Sequence, residues 1–159
     1  MSNFAELATN IPMITHNLAS DDNIAKALYF NVPDFLSQSF PIGFDRETLL
    51  YTKIFPYQFI PGIKDEQSSF ITMDFEFEPC DSYFRYGYIF FYIITHKDLL
   101  RNDTYMLRHH YILSQVDENF NKMRNISIGK LQSGRAKPFI LHGGEWLGIS
   151  MTYKGVDFQ

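Results

Sequence analysis

The sequence predicts an α+β fold, an antiparallel β-sheet packed against one long helix, with short helices at the N-terminus. Three stretches carry that prediction. In residues 71–78, ITMDFEFE, apolar Ile71, Met73, Phe75 and Phe77 alternate with Thr72, Asp74, Glu76 and Glu78, the period of a strand with one oily face. Phe84 to Thr95 is apolar on both faces, as a strand covered from both sides would be. In Tyr105 to Met123, Ile112, Val116, Phe120 and Met123 recur at helical spacing and mark one buried helix face.

The remaining elements follow in chain order. Thr9-Asn10 before Ile11-Pro12 and Ser20-Asp21-Asp22 before Asn23-Ile24-Ala25 both pair a capping residue with a helix start. Two short helices with a break around Ala19-Ser20 are expected, and Asn31-Val32-Pro33-Asp34 ends the second. Prolines at 41, 56 and 61 and glycines at 43 and 62 leave room only for a short edge strand over Thr52 to Phe55 and a turn at Phe59-Ile60-Pro61-Gly62. The acidic strand then starts near Ser69, stops at Pro79-Cys80-Asp81-Ser82, and forms a hairpin with the aromatic strand. Lys97 to Thr104 is a polar break. Asp103 or Thr104 caps the long helix, whose polar residues Arg108, Gln115, Glu118, Asn119 and Lys122 fall mostly off the apolar face. Ile126 to Leu131 reads as a short strand, Gln132 to Lys137 as a small basic loop, and Phe139-Ile140-Leu141 as the start of another strand. His142-Gly143-Gly144 is a hairpin turn before the last strand, where Leu147, Ile149, Met151 and Tyr153 alternate with Gly148, Ser150 and Thr152.

No repeat, low-complexity tract or linker divides the 159 residues, so they form a single domain over 1–159, with a helical segment over 1–40 and a sheet-and-helix core over 69–159. The aromatic content, 16 Phe and 10 Tyr against one Trp, fits either a Phe-rich core or extensive subunit contact. A net charge of -4 without any run of Lys or Arg argues against holding DNA by phosphate neutralisation; it leaves room for a protein past which DNA slides. The opening MSNFAELATN lacks the basic and apolar regions of a secretory signal, and YIFFYIIT is too short to span a bilayer. The chain is expected to be soluble, with no membrane partner. Cys80 is the one cysteine, which excludes an internal disulfide.

Motifs for catalysis are missing. His109 and His110 point about 100° apart on a helix, so a metal site would need distant partners such as Cys80, His96 or His142, none at ligand spacing. Cys80 sits beside Asp81, a setting that raises a thiol pKa. His142-Gly143-Gly144 precedes a strand and lacks the lysine of a phosphate-binding loop. The acidic row Asp74, Glu76 and Glu78 is the remaining candidate. Its like charges repel unless they face water or a cation, and along a regular strand they spread over about 14 Å, too far to converge on one ion. It reads as a solvated face, as paired carboxylates of an enzyme, or as the negative wall of a channel that keeps DNA phosphates from sticking.

RHHYILSQVDENFNKM (108–123), then ISIGKL (126–131), then a variable loop, then WLGISMTYKGVDF (146–158) form a succession of elements that resembles the tail-terminator and tail-completion proteins of tailed bacteriophages. MITHNLASDDNIAKAL (13–28) is similar to their N-terminal helix. The resemblance covers about two-thirds of the chain and rests on the order of elements rather than on fixed residues. The aromatic run Tyr83 to Tyr92 has no counterpart in it. What it implies is a structural virion protein without catalytic residues or cofactor, assembling with itself as a hexameric ring between the tail tube protein and a neck or head-closure protein. Such a ring would be made in the host cytoplasm and would let DNA pass without specific binding. A head-closure ring is the neighbouring possibility, with Asp74, Glu76 and Glu78 as candidate channel-lining residues in either ring. The rival expectation is a small aromatic-lined ligand-binding domain or enzyme.

Overall fold

A computed structural model describes residues 3–79, 84–122 and 132–158. Helix α1 (Asn3–Ser20) and helix α2 (Asp22–Tyr29) meet at Asp21. Asp21 is extended (φ -74°, ψ 123°) and its carboxylate accepts the Ile24 N–H at 3.0 Å, so it satisfies one of the orphan donors of α2. The break is where the capping residues predict it. The first helix, however, is not short: it runs through Pro12 for 18 residues. Pro12 removes one i to i−4 bond, and the helix continues around it because Ile11, Ile14 and Leu18 bury their side chains.

The sheet contains β1 (Ile54–Phe55), β2 (Ser69–Pro79), β3 (Phe84–His96), β4 (Gln132–Leu141) and β5 (Trp146–Phe158) in the order β1-β2-β3-β5-β4. All neighbours are antiparallel except β1 with β2, so the fold is α+β with a mostly antiparallel sheet. The hairpin of β2 and β3 and the central place of β3 match the expectation. Helix α3 (Arg108–Lys122) lies on one sheet face. There Ile112, Val116 and Phe120 pack with Ile71, Met73, Ile89, Phe91, Ile93 and Tyr153, and with Ile14, Leu18, Ile24 and Leu28 from α1 and α2. The periodic residues Ile112, Val116 and Phe120 are buried as predicted; Met123 and the stretch Ile126 to Leu131 lie outside the described residues.

Helix α3 and strand β4 also depart from the sequence reading. Helix α3 starts at Arg108, not Tyr105, because Tyr105 has a positive φ of 63° and Thr104 is spent on a turn, its N–H bonding to Asn102 Oδ1 at 2.8 Å. Arg108 is not on the polar face but 1% exposed. Gln132 to Lys137 is not a loop but the first half of β4, with a bulge between Ser133 and Ala136. Gly134 fits the bulge because a Cβ there would stand 2.1 Å from the Thr152 carbonyl oxygen. Pro138 is tolerated because β4 is an edge strand.

Candidate functional site

The second face of the sheet is built from the even-numbered residues of β2, β3 and β5, and the register sets them in rows. Phe70, Ile94, Gly148 and Phe139 stand opposite one another; the next row is Thr72, Tyr92, Ser150 and Lys137. Beyond it come Asp74, Phe90 and Thr152, then Glu76, Tyr88 and Lys154. One end of the face is therefore apolar. The other carries carboxylates on β2, aromatics on β3 and ammonium groups on β5 and β4.

Among the described residues, only the apolar end is covered. The segment after β1 folds over it, with Phe59 stacked on Phe55 (centroids 4.1 Å, planes 11° apart) and tilted against Phe70 at 5.3 Å. Phe55, Phe70, Ile94 and Trp146 are buried beneath. His142 Nε2 lies 2.7 Å from the Pro61 carbonyl oxygen and ties this segment to the turn between β4 and β5. That turn is the expected hairpin connection, with Gly143 and Gly144 at φ 66° and 100°. The turn after β1 closes at Gly62–Asp65, through Asp65 N–H to the Gly62 carbonyl at 3.1 Å, rather than at Phe59. Among its described side chains, the aromatic strand β3 is thus covered on both faces only near its end: Ile94 is buried, while Tyr88, Phe90 and Tyr92 are half-buried.

Between the covering segment and β4 lies a cleft of about 310 Å³, floored by Thr72, Tyr92 and Ile94 and walled by Phe59 on one side and Phe139 on the other. Tyr92 meets Phe139 edge to face, centroids 6.2 Å apart. Gln58 donates to Asp74 Oδ2 at 3.0 Å and also hydrogen-bonds Tyr92. Burial, and then the Asp74 carboxylate, push the Tyr92 phenol above its ordinary pKa, against the Gln58 bond that lowers it. Tyr92 therefore remains a proton donor at neutral pH. Lys137 and Ser150 complete the lining, and Ser150 Oγ donates to the Lys137 carbonyl at 3.2 Å.

The acidic row is placed in part. Asp74 is half-buried and tied to Gln58, Glu76 is exposed, and the side chain of Glu78 lies outside the described residues. The two carboxylates that are described point to the same face as Tyr88, Phe90 and Tyr92, with no convergence on an ion site. The histidines are not brought together into a metal site either. His96 is buried at the end of β3, its Nδ1 accepting the Asp98 N–H at 3.2 Å and its ring edge-on to Trp146 at 5.0 Å. His109 is buried in the first turn of α3 beside exposed His110. No group of three His, Cys, Asp or Glu is placed to hold a metal among the described residues; Cys80 lies outside them.

Sequence reasoning missed Gln58, Tyr92, Lys137, Phe139 and Ser150. One signal was available: Lys137, Phe139 and Leu141 share the period of two that puts them on one face of a strand.

Residues 21–155 match the YomW family. The chain belongs to that family. The match starts at the cap of α2 and ends within β5, so it takes in α3, strands β1 to β4 and most of β5. No curated protein matches the chain significantly, and no helix among the described residues is long and apolar enough to cross a membrane.

Proposed function

We propose that this YomW-family chain is a structural protein of a tailed-bacteriophage virion, a tail-terminator or tail-completion ring that joins the tail tube to the neck and lets DNA pass. In this reading it is not an enzyme and needs no cofactor. It is made in the host cytoplasm, assembles with itself as a hexamer, and contacts the tail tube protein on one side and a neck or head-closure protein on the other. A head-closure ring is the neighbouring position on the same axis.

The observation that supports the reading best is the sheet surface that the chain leaves unpartnered. Strand β1 pairs only Ile71 and Thr72 of β2, so from Met73 onward that edge has no partner strand among the described residues. At the opposite edge β4 is likewise last in the order. Open strand edges are what a subunit of a closed assembly covers with its neighbours. Asp74, Glu76 and Glu78 are proposed to face the axial channel.

Native mass spectrometry of the purified protein tests the reading, with a mass of six chains expected either alone or after addition of tail tubes. A protein that stays monomeric under both conditions and is missing from purified virions overturns it.

A further inference from the structure

The cleft over Ile94 has a chemistry of its own. Its apolar part is a slot: Phe59 is held over Phe55 and Phe70 on one side, and the Phe139 ring lies over Gly148 on the other, where a Cβ would stand 2.1 Å from Phe139 Cζ. Its polar part is a line, since Thr72, Tyr92, Ser150 and Lys137 stand directly opposite one another across four strands. Three hydroxyls lead to one ammonium group. Lys137 is the one charged residue of the lining, and no carboxylate pairs with it among the described residues. The nearby carboxylate of Asp74 is held by Gln58. A volume of about 310 Å³ lies at the small end of ligand pockets, roughly 300 to 1,000 Å³.

We propose that this cleft binds a small, flat apolar molecule carrying one anionic group, its body between Phe59 and Phe139 and its anion at Lys137. The ring faces supply contact area at fixed geometry. The hydroxyls of Tyr92 and Thr72 can donate to the anion, and Lys137 supplies the charge that selects it over a neutral analogue. The proposal stands apart from the ring reading, because the cleft lies within one chain and needs no second copy.

Fluorescence titration with 1-anilinonaphthalene-8-sulfonate, a flat aromatic anion, tests it, with N-phenyl-1-naphthylamine as the same skeleton without the anion. Trp146, the one tryptophan, packs on Phe70 at 5.8 Å beside the cleft and reports binding by energy transfer. The expected result is saturable binding of the sulfonate at one site. Lys137→Gln should weaken it about tenfold, the worth of one charge-assisted hydrogen bond, and leave the neutral probe unchanged. Lys154→Gln, at a half-buried position two rows away with its ammonium over the Tyr88 ring, should change neither. Absence of saturable binding, equal affinity in Lys137→Gln, or an equal loss in Lys154→Gln would overturn the proposal, the last because it would mean diffuse attraction to the whole face.

Discussion

Arg108 donates from Nη1 to the backbone carbonyl of Ala27 at 2.9 Å, and this bond ties the start of α3 to the end of α2. The same guanidinium reaches the carbonyls of Phe30 and Val32, while Nε donates to Leu99. Its plane also lies over Phe35, 4.5 Å from the ring centroid. Three of the acceptors, Ala27, Phe30 and Val32, are carbonyls at the end of α2 and in the loop beyond it, where a cation is favoured. Burial lowers the Arg108 pKa to about 10, which still leaves it charged at neutral pH.

Replacing Arg108 by Lys should therefore be costly although the charge is kept. A lysine cannot reproduce the planar fork, and two or more buried carbonyls lose their donor, so about 2 to 4 kcal/mol of stability should disappear. Urea denaturation at pH 7 measures it. A loss below about 0.5 kcal/mol, the range of ordinary surface changes, would show that water takes over those bonds.

His109 makes the fold sensitive to mild acid. Burial, and then neighbouring His110, lower its pKa from 6.5 to about 4, so the folded state prefers the neutral ring. Between pH 6.5 and 4 the unfolded chain binds more protons at this site, and stability must fall as pH falls through that window and level off below it. The full difference is on the order of 3 kcal/mol. In His109→Gln the slope across this window should flatten, as read by melting temperature from pH 7 to pH 4. An unchanged slope would assign the acid sensitivity to other groups.

The last strand offers a test of its two faces. Met151 packs against the helix-side core around fully buried Tyr153, whereas Ser150 looks onto the cleft. Met151→Asp should cost about 2 to 4 kcal/mol by placing an unpaired charge against apolar neighbours. Ser150→Asp should cost less than about 1 kcal/mol with Lys137 opposite it. Equal losses in thermal denaturation would contradict this assignment of faces.

Strands β2 and β5 were legible because each has one face in the core and one towards solvent or the cleft, so burial imposes the alternation Ile71, Met73, Phe75 and Leu147, Ile149, Met151 directly on the sequence. Strand β4 was hidden by Gly134 and Pro138, which break a central strand but suit a bulge and an open edge. Arg108 was misplaced for a different reason. Helical spacing gives its angle on α3, but not that the carbonyls of α2 dock there. The cleft was invisible because Gln58 and Phe59 reach it from a segment whose path depends on contacts with Phe55, Phe70 and the His142 turn, far away in sequence. Asp74 was read as one of three equal carboxylates. Gln58, sixteen residues away, makes it different from Glu76.

That difference shapes the prediction for the acidic row. In the proposed ring, Asp74, Glu76 and Glu78 from each subunit face the channel and multiply into a negative belt that lowers DNA adhesion. Glu76 is exposed, so Glu76→Lys should change monomer stability by less than about 0.5 kcal/mol. Asp74→Lys should cost more, about 1 kcal/mol, because Gln58 loses its acceptor and a cation is brought towards Tyr92. Replacing all three by Lys should then leave a folded subunit that still enters particles, while genome release from those particles slows, as followed by a DNA-binding dye after triggered ejection. Raising the salt concentration should restore much of the rate, since phosphate attraction to an exposed lysine belt is screened. Ejection at the normal rate in the triple variant would remove these residues from the channel wall and leave the row as a solvated face.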